Sequence, residues 1–297
     1  GAALVEPFRS VLPEYTEAHF WVEPVARSTG PALAWAAARV VAEDPDGLVL
    51  SLHADHLIRP FEAFAGTVRR AVAAARERHA LVCLGIRPDR PETGYGYIEP
   101  GEATGPGVHA VRRFVEKPDA GTARRYLASG DYLWNSGIFV WRAADFLAAI
   151  RRHTPEIADA LPALDGADGG TEAFFRAVRP ISVDVGVLER AENVEVAPGD
   201  FAWDDVGTWS SLARTREPDA DGNVVAGRAR MIEARDNIVW SEDGRVVLFG
   251  VEDLVVVHSG GETLVTRREL APELKRAISK IDVESRGGPS TETEDSK

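Results

Sequence analysis

Two short, unbroken apolar runs restrict this chain to a layered α/β architecture. Gly47-Leu48-Val49-Leu50-Ser51-Leu52 and Ala80-Leu81-Val82-Cys83-Leu84-Gly85-Ile86 lack polar alternation, as expected of strands covered on both faces. Helical periodicity fills Phe61 to His79 between them. The alanine-rich Ala32 to Ala42 precedes the first run, with Pro31 near the start of that helix. With the apolar Ala18-His19-Phe20-Trp21-Val22 standing first, the order is β-α-β-α-β. It predicts a parallel sheet with right-handed crossovers and ligands beyond the carboxyl ends of the strands. Ala54-Asp55-His56 follows the Gly47–Leu52 run, which places Asp55 at such an end.

Composition narrows the class further. The 297 residues, 44% hydrophobic and 27% charged, can bury a sizeable core and exceed the usual size of one domain. The single cysteine, Cys83, excludes an internal disulfide and a cysteine-rich metal site, and its apolar run makes it a buried strand residue. No run has the length of a membrane span and no charged-then-apolar leader opens the chain, so it reads as a soluble, reduced, cytoplasmic protein. A formal net charge of −13 argues against wrapping by nucleic acid, which needs a basic face. A phosphate ligand would therefore need a local positive field or metal ions. Gly1 is not a methionine and the only Met is Met231, which leads us to expect an N-terminal truncation.

The local field has a candidate in Lys117. Positive charge is otherwise carried by arginine, thirty Arg against four Lys, and Lys117 is the only lysine in the first 274 residues. An ammonium is a compact point charge on a flexible stem, suited to a phosphate that moves or changes charge. It sits in Phe114-Val115-Glu116-Lys117-Pro118-Asp119, after the β-prone Val108 to Val111, where a solvated turn lysine would look the same. In Pro91-Glu92-Thr93-Gly94-Tyr95-Gly96-Tyr97-Ile98, Gly94 and Gly96 let backbone approach a ligand while the tyrosines offer flat walls; a plain hairpin shares that pattern. Asn135 and Ser136 interrupt the aromatic strand Tyr132 to Trp141. An amide among aromatics suits a sugar, though taken alone the segment reads first as a bulge or turn with a satisfied core Asn. Helices are expected over roughly Ala120 to Ser129 and Ala143 to Val178. Phe201-Ala202-Trp203-Asp204-Asp205-Val206-Gly207-Thr208-Trp209 then sets paired carboxylates between tryptophans. Asp205 with Asp55 could converge on Mg²⁺, or Asp204 or Asp205 could cap the helix Trp209 to Thr215.

Taken in order, these segments resemble the mannose-1-phosphate guanylyltransferase family of sugar-nucleotide pyrophosphorylases. The resemblance runs from Glu23 to about Ile281 through EPVARSTGPA, ADHLI, PETGYGYIEP, FVEKPD, YLWNSGIFVW, ISVDVGVLER, FAWDDVGTW and DNIVWSEDGRVVLFGVEDLVVVHSGGETLV. It implies a Rossmann-like (GT-A-like) mixed sheet with helices on both faces and transfer of GMP from GTP to mannose 1-phosphate with Mg²⁺. By matching positions, it implies Asp55 and Asp205 as metal ligands and Lys117 as the grip on sugar phosphate. Glu116, Asn135 and Gly94 become sugar contacts, Arg27 and Thr29 nucleotide-side residues, and Asp184 a candidate for positioning the sugar wall. The attacking phosphate oxygen is already ionised near neutral pH, so no general base is required. His56 beside Asp55 is then a supporting or structural residue.

The chain departs from the family pattern as well. The glycine-rich loop that cradles the triphosphate in the family has no match near Gly1, which fits the expected truncation. Ser28 stands where the family usually has Asn, and His53 where it usually has Pro. The domain reading is a nucleotidyltransferase domain over 1–216 and a small β domain over 217–283, β-helix-like in the family and often helping to form a homodimer. It ends in a helix from Glu269 to Ile281, and 284–297 forms a polar, disordered tail. A sister pyrophosphorylase with another base or sugar, and a non-catalytic sugar-nucleotide-binding regulatory subunit, are the alternatives the sequence leaves open.

Overall fold

The computed structural model describes residues 1–165 and 169–274. It divides into two compact units, Gly1–Ala54 with Ile58–Trp203, and Asp55–Leu57 with the segment from Asp204 onward. The helices up to that boundary are α1 (Val5–Val11), α2 (Thr29–Glu43), α3 (Phe61–Arg78), α4 (Ala120–Ser129), α5 (Ala143–His153), α6 (Pro155–Ala158) and α7 (Gly170–Ala177). The strands are β1 (Leu48–Ser51), β2 (Leu57–Arg59), β3 (Leu81–Ile86), β4 (Tyr97–Gly105), β5 (Val108–Val115), β6 (Leu133–Arg142), β7 (Val194–Gly199) and β8 (Ala202–Asp204). Six of them form one sheet in the order β1-β6-β3-β7-β5-β4, and β2 pairs with β8 in a separate ribbon.

Helices cover both faces of the large sheet because each apolar stripe has a matching sheet face. On one side Trp35 of α2, Phe146 and Ile150 of α5, and Phe174 and Phe175 of α7 pack on Phe139 and Trp141 of β6. The Trp141 and Phe146 rings stack at 4.2 Å. On the other side α3 turns Ala71, Ala74 and Ala75 inward, and small side chains bring it close to Val82, Leu84 and Val140. β3 lies at the centre, buried at every position, and Cys83 is fully inaccessible within it, its thiol pushed up by burial.

Three expectations change. Among the described pairings of the large sheet only β3 with β7 is parallel. β1 and β3 run in the same direction, but β6 is hydrogen-bonded between them and antiparallel to both. Strand–helix alternation fixed strand direction, and a later strand took the neighbouring place. β1 is an edge strand with Leu50 41% exposed, not a strand covered on both faces, because it has a partner on one side only. Ala18 to Val22 forms no strand; Glu17–His19 is a 3₁₀ turn closed by Thr16 and His19 side chains.

Beyond Asp204 come α8 (Trp209–Thr215) and four strands, β9 (Val224–Ile232), β10 (Ile238–Phe249), β11 (Leu254–Ser259) and β12 (Glu262–Arg267). β9, β10 and β11 are parallel neighbours and β12 closes on β11 as a hairpin, so this unit is β-helix-like. Each coil enters its strand through a residue at positive φ, namely Gly222, Asp236 and Asp253. The next residue forms a buried ladder. Asn223 Oδ1 accepts from Asn237 N at 3.1 Å and Nδ2 at 3.0 Å, and Asn237 Oδ1 accepts from Leu254 N at 3.0 Å. Leu254 carries no side-chain amide and ends the ladder. The expected final helix begins as a 3₁₀ turn, Arg268–Glu273. Its remainder and the expected tail lie outside the described residues.

The ladder generates a stability prediction. Asn237 is fully buried, and Asn237→Ala orphans the Leu254 N–H and removes one of the two donors to the Val251 carbonyl, which keeps the Arg235 N–H. A loss of about 2–3 kcal/mol is expected by denaturant unfolding, with exchange of the Leu254 amide accelerated.

Candidate active site

β5 delivers Glu116 and Lys117 at its carboxyl end. Lys117 adopts a positive φ of 47°, uncommon for a residue with a side chain, and its Nζ lies 2.7 Å from Glu116 Oε1. The lysine side chain is 61% exposed while that of Glu116 is 18% exposed, so the cation is open to a ligand over a sheltered carboxylate. The hydrogen bond to Glu116 raises the Lys117 ammonium above its ordinary value and keeps it charged. The Glu116 N–H donates to Glu189 Oε1 at 3.2 Å.

β6 delivers Asn135 through a bulge. The β3–β6 register passes from Cys83 opposite Phe139 to Gly85 opposite Asn135, so two extra residues are accommodated in β6, with Gly137 at φ 71°. The bulge with a satisfied Asn is the reading the strand bears out, continuous and bulged at this point. Asn135 is buried, its N–H donating to the Gly96 carbonyl at 2.8 Å and its Oδ1 accepting from Gly137 N at 3.2 Å. Its Nδ2 donates to Asp184 Oδ1 at 2.8 Å. Gly96 is the crowded glycine of the loop, since a Cβ there would stand 2.7 Å from Glu116 Oε2 and 3.3 Å from Asn135 Cβ. Gly94 is exposed and its N–H is held by Glu92 Oε1 at 3.1 Å. Tyr95 and Tyr97 are core residues rather than ligand walls: Tyr97 is fully buried with its hydroxyl on the Glu92 carbonyl, and Tyr95 packs edge-on to Trp134.

Asp184 opens a single π-type turn, Asp184–Leu188, closed by Glu189 N donating to the Asp184 carbonyl at 2.9 Å. Burial pushes its carboxyl above the usual range and the Glu116 charge adds to that, against the Asn135 amide and Lys117. Just upstream, Val183 N donates to Thr29 Oγ1 at 3.0 Å and Gly30 N to the Ile181 carbonyl at 3.1 Å. Arg27 Nε donates to the Phe175 carbonyl at 2.9 Å. Thr29 is thus fixed against the segment that carries Asp184, and Arg27 against α7.

The carboxylates expected at a metal are carried by the segments that enter β2 and leave β8, which pair as a ribbon. Asp205 Oδ1 accepts from Gly207 N at 3.3 Å, with Val206 between them at φ 46°, a strained value for a β-branched residue. Asp204 is buried and paired with Arg214 Nε at 2.7 Å. Burial would raise its carboxyl, but Arg214 and the Val206 N–H outweigh this and leave it below the usual range. Neither aspartate caps α8, whose N-cap is Thr208. In the loop after β1, His53, Asp55 and His56 offer donor atoms within 4.8 Å of one another. Asp205 is not in that group; in it the Asp55 carboxylate is the oxygen donor a hard cation such as Mg²⁺ takes, and the imidazoles are nitrogen donors.

Comparison with known proteins follows the same division. The family described as Nucleotidyl transferase matches residues 10–222. The chain belongs to the nucleotidyl transferase family. The β-helix-like region, residues 222–281, matches the MannoseP isomerase/GMP-like beta-helix domain. The chain is 41% identical to the xanthan biosynthesis protein XanB of Xanthomonas campestris pv. campestris (strain B100), over 88% of this chain and 56% of that protein. To the mannose-1-phosphate guanylyltransferase of Escherichia coli K12 it is 39% identical, over 89% of this chain and 58% of the relative. It therefore spans less than two thirds of the length of these curated relatives. A crystal structure described as mannose-1-phosphate geranyltransferase from Thermus thermophilus superposes with a TM-score of 0.83 at 34% identity, covering 92% of this chain and 81% of that one.

One residue of the cluster, Glu189, escaped the sequence reading. Gly96 was read with Gly94 as a glycine that admits close approach, and the close approach at Gly96 is to Glu116 and Asn135. Glu189 had no signal, being one carboxylate among the 47 acidic residues of the chain.

The raised carboxyl of Asp184 makes a signed prediction. A carboxyl whose pKa rises on folding costs nothing below its unfolded pKa, and its destabilisation grows from there and is complete once pH exceeds the folded value. Asp184→Asn, which mimics the protonated acid, is expected to be more stable than wild type at neutral pH. That advantage should shrink as pH falls through the acid range, as read by denaturant midpoints across pH.

Proposed function

We propose that the protein transfers GMP from GTP to mannose 1-phosphate, giving GDP-mannose and pyrophosphate in the presence of Mg²⁺. The observation that carries this reading is the single ammonium of Lys117 held over Glu116, beside the buried amide of Asn135. A cation, a carboxylate acceptor and an amide donor at adjacent strand ends match a phosphorylated sugar, and the names of the relatives give the sugar and base.

In the reaction a phosphate oxygen of the sugar 1-phosphate attacks the α-phosphorus of the triphosphate. The new O–P bond forms as the bond to the bridging oxygen of the β-phosphate breaks, and pyrophosphate leaves with that electron pair. No proton need be removed from the nucleophile. Lys117 offsets the approach of two anions and aligns the sugar phosphate, Glu116, Asn135 and the Gly94 loop hold the sugar, and Asp184 positions that wall. Arg27 and Thr29 lie on the nucleotide side. Asp55 and Asp205 are the residues that would hold Mg²⁺, whose contribution is charge neutralisation on the triphosphate and the departing pyrophosphate. The reading includes a cytoplasmic enzyme that associates as a homodimer. Among the described residues no helix is long and apolar enough to cross a membrane.

Pyrophosphate release with GTP, mannose 1-phosphate and Mg²⁺ tests it. Lys117→Ala is expected to lower kcat/KM by about 100-fold and Asp205→Ala to abolish Mg²⁺-dependent release, with UTP or glucose 1-phosphate competing poorly. Release unaffected by either substitution would sink the assignment.

A further inference from the structure

The two polar arms of the sugar side, Glu116 and Asn135, reach the site from different strands, yet both are tied to one short segment. Asp184, at the first position of the π-type turn, accepts the Asn135 amide; Glu189, immediately after it, accepts the Glu116 main-chain N–H. The turn is itself anchored, since Thr154 Oγ1 donates to the Gly186 carbonyl and the Gly186 N–H donates to the Ser182 carbonyl at 2.9 Å. Val187 and Leu188 seat it in the core.

We propose that Asp184–Glu189 is a brace whose two carboxylates are positioning residues, Asp184 fixing the orientation of the Asn135 amide and Glu189 fixing the main chain that presents Glu116 and Lys117. A side-chain amide has two orientations of nearly equal shape, and its partners choose between them. Here Oδ1 faces the Gly137 N–H and Nδ2 faces a carboxylate. Rotating the amide by half a turn would set oxygen against oxygen at Asp184 and nitrogen against an N–H at Gly137. The brace therefore commits Asn135 to offer its second Nδ2 hydrogen outward, as a donor, while Glu116 offers an acceptor. The ligand chemistry that answers both is a pair of neighbouring ring hydroxyls, one accepting and one donating. Asp184 retains a carboxylate where burial and a second carboxylate disfavour it, consistent with a group kept for placement at some cost in stability.

The inference rests on the proposed substrate, and its test separates the two. The first readout needs no ligand: the Asn135 side-chain ¹⁵N–¹H pair in the full chain, assigned by its loss in Asn135→Ser. Asp184→Ala is expected to shift this pair and to speed its solvent exchange by about tenfold or more, whereas Asp184→Asn, which keeps an acceptor, restores it toward wild type. The second readout is steady-state kinetics. Asp184→Ala and Glu189→Ala are each expected to raise KM for mannose 1-phosphate about tenfold with a smaller change in kcat, and Glu189→Gln to recover much of the loss. An Asn135 pair unmoved by Asp184→Ala, or an unchanged KM in both alanine variants, would overturn the brace. A shifted pair in a protein that ignores mannose 1-phosphate would uphold the Asp184–Asn135 placement and refute the substrate.

Discussion

The hydrogen bond from Asn135 Nδ2 to Asp184 joins the two parts of the first unit on which its site depends. One end lies in the bulge of β6, where two extra residues turn an amide out of a strand otherwise devoted to Trp134, Phe139 and Trp141. The other lies in a π-type turn that also holds Glu116 through Glu189 and, just upstream, Thr29 and Gly30. Removing that turn would leave each polar group on its own flexible strand end. With it, the cation, acceptor and donor of the sugar side are fixed to a core that packs at both ends of the turn.

The electrostatics follow from that placement. A chain with a net charge of −13 is a poor host for phosphates, and the site does not reverse the field with a basic patch. It sets one exposed ammonium on a sheltered carboxylate, so that the cation stays charged through Glu116 and is free to move with a phosphate. The cost falls on Asp184, a third charge in the same neighbourhood, whose carboxyl burial and the Glu116 charge push up. Stability is conceded there and regained in the aromatic stack of β6 with α5 and in the Asn223–Asn237 ladder of the β-helix-like unit.

Much of this was legible in the sequence, for physical reasons that differ by element. Continuous apolar runs located β1 and β3, and the 3.6-residue period located α2, α3 and α5, because burial alone dictates those patterns. Neighbour order was not legible. The β6 insertion between β1 and β3 depends on pairing across about fifty to ninety residues, which no local pattern encodes. Lys117 stood out because lysine is rare here, and Asn135 because an amide among tryptophans demands a partner. The partner's identity needed the fold, since Asp184 lies 49 residues away. Glu189 was invisible for the same reason, its role arising from a main-chain N–H 73 residues away; Gly96 was read beside Gly94, and the fold supplied the neighbours that crowd it. Asp204 looked like a helix cap and proved to be half of a buried ion pair with Arg214, ten residues on.

A crystal structure with mannose 1-phosphate bound tests the central claim most directly. The account places the sugar phosphate at Lys117 Nζ and the ring hydroxyls between the Glu116 carboxylate and the outward Nδ2 hydrogen of Asn135, with the Asn135–Asp184 bond unchanged. A sugar bound away from Lys117, or an Asn135 amide turned so that its oxygen meets the ligand, would contradict it.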